Sequence, residues 1–163
     1  MGLWFNLLAQ IAVIAYALVG GVFLAFSDFI MRSLARTSGI GGAEAMQVIN
    51  REVFRWVFMA LFLGLAPVSL VLAAVGFFSV GGGAGILFAA AGLIYFVGCF
   101  GVTVIFNVPL NEALAKMNLD EPATLAFWSD TYVPRWTFWN SVRGFACVVS
   151  ASVMLAALLS AAA

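Results

Sequence analysis

The sequence predicts an all-α integral membrane protein, a bundle of four transmembrane helices with cytoplasmic helical extensions, and three observations lead there. The 163-residue chain is 65% hydrophobic and 9% charged, against about a quarter charged in soluble domains. Its seven basic and seven acidic side chains all fall in two windows, residues 28–55 and 112–143. Between them, residues 56–111 form a run of 56 without Asp, Glu, Lys or Arg, too long for one crossing of about 20 helical residues and enough for two. Lipid leaves only helices or a closed barrel, and the unbroken apolar runs lack the alternation of a barrel. We read one domain, residues 1–163, with spans at about 3–27, 54–80, 86–106 and 138–160.

The first helix is expected from about Leu3 past Asp28 to Ala35, where Thr37-Ser-Gly-Ile-Gly-Gly42 breaks it. The N-terminal stretch has no basic region before it and no convincing cleavage site, so it reads as a retained span rather than a signal peptide. A second helix is expected from Ala43 without interruption to Val80, carrying a polar stripe of Gln47, Arg51 and Arg55 and a tolerated Pro67. Val80-Gly-Gly-Gly-Ala-Gly85 is the natural reversal. The third helix is expected to end at Asn107-Val-Pro-Leu-Asn111, beside a short amphipathic helix at 109–118. Its Gly92, Gly98 and Gly101 permit close helix approach. Asp120 is placed as the cap of the last helix, which bends near Pro134 and enters the membrane around Trp139.

Zero net charge and no dense basic run exclude nucleic acid as a partner. Two spans separate the charged windows, so both lie on one side. That side holds all the Lys and Arg, which makes it cytoplasmic by the positive-inside rule and puts both termini in the periplasm of a bacterial inner membrane. Cys99 and Cys147 lie in apolar helices and read as packing groups. The absence of histidine removes the commonest general base and the usual haem and di-iron ligands, and no cluster of metal-ligand spacing is present. Trp4, Trp56, Trp128 and Trp139 fall near the expected interfaces, as belt anchors do.

The most suggestive constellation is a stripe on the last helix, Tyr132, Trp136, Asn140 and Arg143, whose spacing of 4, 4 and 3 puts all four on one face. An arginine inside a membrane segment costs about 3 kcal/mol or more unless it finds water or a partner. Arg143 therefore either snorkels to the interface beside an aromatic belt, or turns inward to a carboxylate or an anionic ligand. Asp28, Asn50, Asn107 and Asn111 lie at matching depth and complete a polar cluster, which is either a lock between helix ends or the lining of a pocket.

Four stretches in this order, Gly21-Val-Phe-Leu-Ala-Phe-Ser-Asp-Phe-Ile-Met31, Met46-Gln-Val-Ile-Asn50, Asn107-Val-Pro-Leu-Asn111 and Trp136-Thr-Phe-Trp-Asn-Ser-Val-Arg143, resemble the anthrone oxygenase-like family of small four-helix membrane proteins. The resemblance implies oxidation of an anthrone to an anthraquinone by molecular oxygen, with no metal or other cofactor. It makes Arg143 and Asn140 stabilisers of an oxyanion, and Asn50, Asn107 and Asn111 an orienting shell. Trp136 becomes a stacking wall, with Tyr132 beside it. The base is then sought among Asp28, Glu52, Glu112, a tyrosinate and water. Expected partners are membrane lipids and a lipophilic aromatic, quinone-like ligand. The alternative is a non-catalytic accessory subunit packed against a larger membrane complex. A cavity of several hundred Å³ within the polar cluster favours the first reading, and a cluster packed shut favours the second.

Overall fold

An uninterrupted apolar run closes its backbone hydrogen bonds most readily as helix, and the computed structural model, which describes residues 2–55 and 57–162, is built that way throughout. Four helices are long and apolar enough to cross a membrane: α1 (Leu3–Leu34), α3 (Val57–Val80), α4 (Gly82–Ala115) and α5 (Pro122–Ala162). A fifth, α2 (Gly41–Glu52), is amphipathic and links α1 to α3. At 1.5 Å per residue α5 is about 61 Å long, twice the thickness of a hydrocarbon core. Its Tyr132 thus lies roughly 45 Å from Ala162, on the charged extension outside the lipid. α5 packs along both α1 and α4, and α3 closes the ring against α4 and α1.

Two apolar cores follow from this length. Within the membrane, Tyr16, Phe23, Phe62, Phe88, Tyr95 and Cys147 belong to one buried cluster. At the charged end, Met31, Met46, Leu114, Trp128, Tyr132 and Trp136 form a second. Gln47 ties the second together by donating to the Leu114 and Met117 carbonyls at 2.8 and 3.2 Å, which satisfies acceptors left free where α4 ends.

Several expectations need correction. The second helix is not continuous: it breaks across Val53–Arg55, where the sequence changes from amphipathic to uniformly apolar and an Arg55–Glu52 ion pair of 2.8 Å sits on the surface. Pro109 does not end the third helix. α4 carries on through it because a widened π-helical turn at Thr103–Asn107 comes just before, where regular α geometry would press the proline ring on the Ile105 carbonyl. A similar turn at Trp128–Tyr132 precedes Pro134 in α5. Asp120 does not cap α5: the flanking residue is Glu121, without a side-chain cap, and Thr124 Oγ1 donates instead to the Asn118 carbonyl.

The reversal between α3 and α4 is tighter than six residues, since α3 ends at Val80 and α4 begins at Gly82, with Gly81 at φ +67°. A Cβ on Gly92 would run into the Ser69 carbonyl and one on Gly98 would meet Ala146, whereas Gly101 faces no other helix. Trp128 is no belt anchor. It is buried and stacks on Tyr132 at 5.3 Å, and Trp139 stacks on Phe106 at 3.6 Å. Trp56 lies outside the described residues.

Candidate functional site

The site is built on α5, whose period brings Tyr132, Trp136, Asn140 and Arg143 to one inward face, all four buried. Asn140 is the hub. Its Nδ2 donates to the Phe23 carbonyl at 2.6 Å and to Ser27 Oγ at 2.7 Å, joining α5 to α1 just where α1 widens into the π-helical turn Phe26–Ile30. Its Oδ1 accepts from Arg143 Nη2 at 2.7 Å.

Arg143 does not snorkel. It is 5% exposed, and its guanidinium carbon lies over the Phe23 ring at 4.2 Å and the Trp136 ring at 5.3 Å. Nη1 donates to Thr103 Oγ1 at 3.3 Å, and Nε has no partner. Of the five donors a guanidinium carries, protein groups take only those two. Among the described residues the single ion pair is Arg55–Glu52, so the buried cation has no carboxylate. Aromatic faces supply what compensation exists, about 0.5–2 kcal/mol per such contact.

Nearer the charged end, four side chains form a directed chain. Asn50 Nδ2 donates to Tyr132 Oη at 3.3 Å, and Tyr132 donates to Asn111 Oδ1 at 2.8 Å. Trp136 Nε1 donates to the same oxygen at 2.8 Å. Because an indole N–H can only donate, the atom facing it must be the amide oxygen, which leaves Asn111 Nδ2 as a donor and Asn50 Oδ1 as an acceptor without protein partners. Burial pushes the Tyr132 phenol above its ordinary value, so it stays protonated and is no base.

A cavity of about 100 Å³ lies against both groups, lined by Phe58 and Phe62 along with Asn50, Asn111, Asn140 and Arg143. That is smaller than the several hundred Å³ expected of a pocket for a polycyclic ligand, so the cluster is neither open nor shut.

The other expected site residues fall elsewhere. Asp28 is exposed and does not line the cavity. Glu52 is held by Arg55 on the surface, and Glu112 is exposed. Asn107 is fully buried but lies outside the lining, where its amide donates to the Trp136 carbonyl at 3.2 Å. Sequence reasoning missed Phe23 and Thr103. Neither has a signal in the chain, since one is a phenylalanine among sixteen and the other an isolated threonine in an apolar helix. Cys99 and Cys147, expected only as packing, meet at 3.4 Å between sulfurs.

Neither the curated proteins nor the solved structures provide a match to this chain. A family profile, anthrone oxygenase, matches residues 52–153, which include Asn107, Asn111, Tyr132, Trp136, Asn140 and Arg143 but not Asp28 or Asn50. With that profile covering well over half of the sequence and four helices suited to a membrane, the chain belongs to the anthrone oxygenase family.

Proposed function

We propose that the cavity holds a flat, lipophilic aromatic molecule with an oxygen against Arg143, and that the protein oxidises such a molecule with dioxygen. One observation carries the reading: a buried guanidinium with unused donors and no acid partner lines a cavity otherwise walled by aromatic rings. A cation kept there at a cost of about 3 kcal/mol or more is best explained by an anion that arrives with the ligand. In the family's chemistry a CH₂ beside an aromatic ketone loses a proton, and the resulting oxyanion is stabilised by Arg143, itself steadied by Asn140. The carbon then takes up O₂, and the hydroperoxide loses water to leave a second ketone, so that R₂CH₂ and O₂ give R₂C=O and H₂O. Among the described residues no carboxylate lines the cavity, so Arg143 must lower the acidity barrier enough for water at the mouth to accept the proton. The distribution of Lys and Arg turns this end to the cytoplasm of a bacterial inner membrane, with both termini periplasmic.

The test is oxygen uptake by the detergent-solubilised protein with hydroxylated aromatics of one to three rings. Arg143→Met is expected to lower it by about 10²–10³-fold, the loss typical of one oxyanion donor. No Arg143-dependent binding or uptake with any of them refutes the reading. A second reading, a non-catalytic accessory subunit in a larger membrane complex, is favoured by the small cavity, since ligand pockets usually measure about 300–1,000 Å³. It predicts a stoichiometric membrane complex on native purification, with Arg143 substitutions lowering only the yield.

A further inference from the structure

We infer that the natural ligand is a single aromatic ring with oxygens at opposite ends and an aliphatic chain, a hydroquinone- or benzoquinone-headed lipid, and not a fused polycycle. The inference rests on the reading above, that the cavity binds a lipophilic aromatic at Arg143. Three observations lead to it.

The first is size. The space is about 100 Å³, and a dry cavity of about 150 Å³ is known to take one benzene ring. A three-ring system does not fit in such a space.

The second is the placing of polar groups. At one end stands the Arg143 guanidinium, 5.3 Å from the centre of the Trp136 ring. At the other stands Asn111, whose Oδ1 is held by the indole N–H at 2.8 Å. The gap between the two is thus the span of one indole. With Oδ1 occupied twice, by Tyr132 and Trp136, the Asn111 Nδ2 is oriented as a donor, and the acceptor Asn50 Oδ1 lies beside it. A ring with an oxygen at each end meets a cation at one and an amide pair at the other.

The third is the mouth. Of the residues lining the cavity, only Val22 and Phe54 are exposed, at 38% and 67%. Both are apolar. Val22 sits in the apolar stretch of α1 and Phe54 in the break between α2 and α3. A ring seated inside therefore sends its substituent out past hydrocarbon, which suits a chain that stays in the lipid.

The experiment measures tryptophan fluorescence quenching in nanodiscs, against empty-disc controls at matched membrane concentration. The probes are 2-decylhydroquinone, hydroquinone, 4-decylphenol and anthrone. Decylhydroquinone is expected to bind at least tenfold more tightly than decylphenol or anthrone. Asn111→Asp keeps the oxygen that Tyr132 and Trp136 need but removes the donor, and it should erase the preference over decylphenol. Val22→Trp narrows the mouth, and it should weaken both decyl probes while leaving hydroquinone unchanged. Anthrone binding as tightly as decylhydroquinone, or a preference that survives both substitutions, overturns the inference while leaving the Arg143 reading intact. If no probe binds in an Arg143-dependent way, both fall.

Discussion

Replacing Arg143 by methionine separates a functional cation from a structural one, because the two roles predict opposite signs for stability. If Arg143 locks the helices together, Arg143→Met removes that lock. If it waits for a ligand, the apo protein carries an uncompensated charge, and methionine relieves it. The substitution removes two hydrogen bonds, to Asn140 and Thr103, worth about 0.6 kcal/mol each on the average for membrane helices. It also removes the contacts with Phe23 and Trp136, about 0.5–2 kcal/mol at such sites. Against this stands about 3 kcal/mol for holding an arginine within a membrane segment. The balance lies between no change and about 1–2 kcal/mol in favour of the variant, in keeping with buried ionic groups that apolar residues replace without loss. Reversible SDS titration of wild type and variant in mixed micelles, followed by far-UV circular dichroism, reads the difference. A variant destabilised by about 3 kcal/mol or more refutes the argument and makes Arg143 a structural tie.

Three further outcomes are expected. Asp28→Asn should leave turnover and its pH profile unchanged, because Asp28 is exposed and off the cavity lining; a displaced pH profile in the uptake assay contradicts the site described above. Gly92→Ala should destabilise the bundle by about 1–3 kcal/mol, the usual cost of overpacking, since the added methyl meets the Ser69 backbone carbonyl, and Gly101→Ala should cost far less by the same titration. A periplasm-dependent reporter fused to either terminus should be active; activity of a cytoplasmic reporter there reverses the orientation.

Much of this architecture is a matter of counting. Charge-free runs long enough for lipid, a glycine cluster between two of them and all ionisable groups gathered at one end determine four crossings and a charged extension, because hydrocarbon tolerates neither unsatisfied backbone nor isolated charge. The α5 stripe was legible for the same reason: helical period alone brings Tyr132, Trp136, Asn140 and Arg143 to one face. The period does not say which way that face turns, nor what stands opposite. Proline positions misled, because whether Pro109 ends a helix depends on a widened turn that neighbouring helices stabilise. Asp28 and Asn107 lie at the depth expected of site residues, yet one looks outward and the other supports a backbone carbonyl. Phe23 and Thr103 become partners of Arg143 only because α1, α4 and α5 converge there. Composition and spacing thus determined the membrane, the helices and the inward-facing candidates by themselves. Packing between distant segments decided that the arginine is buried without an acid and faces a cavity one ring wide, since such contacts depend on how helices meet and not on the order of residues within any one of them.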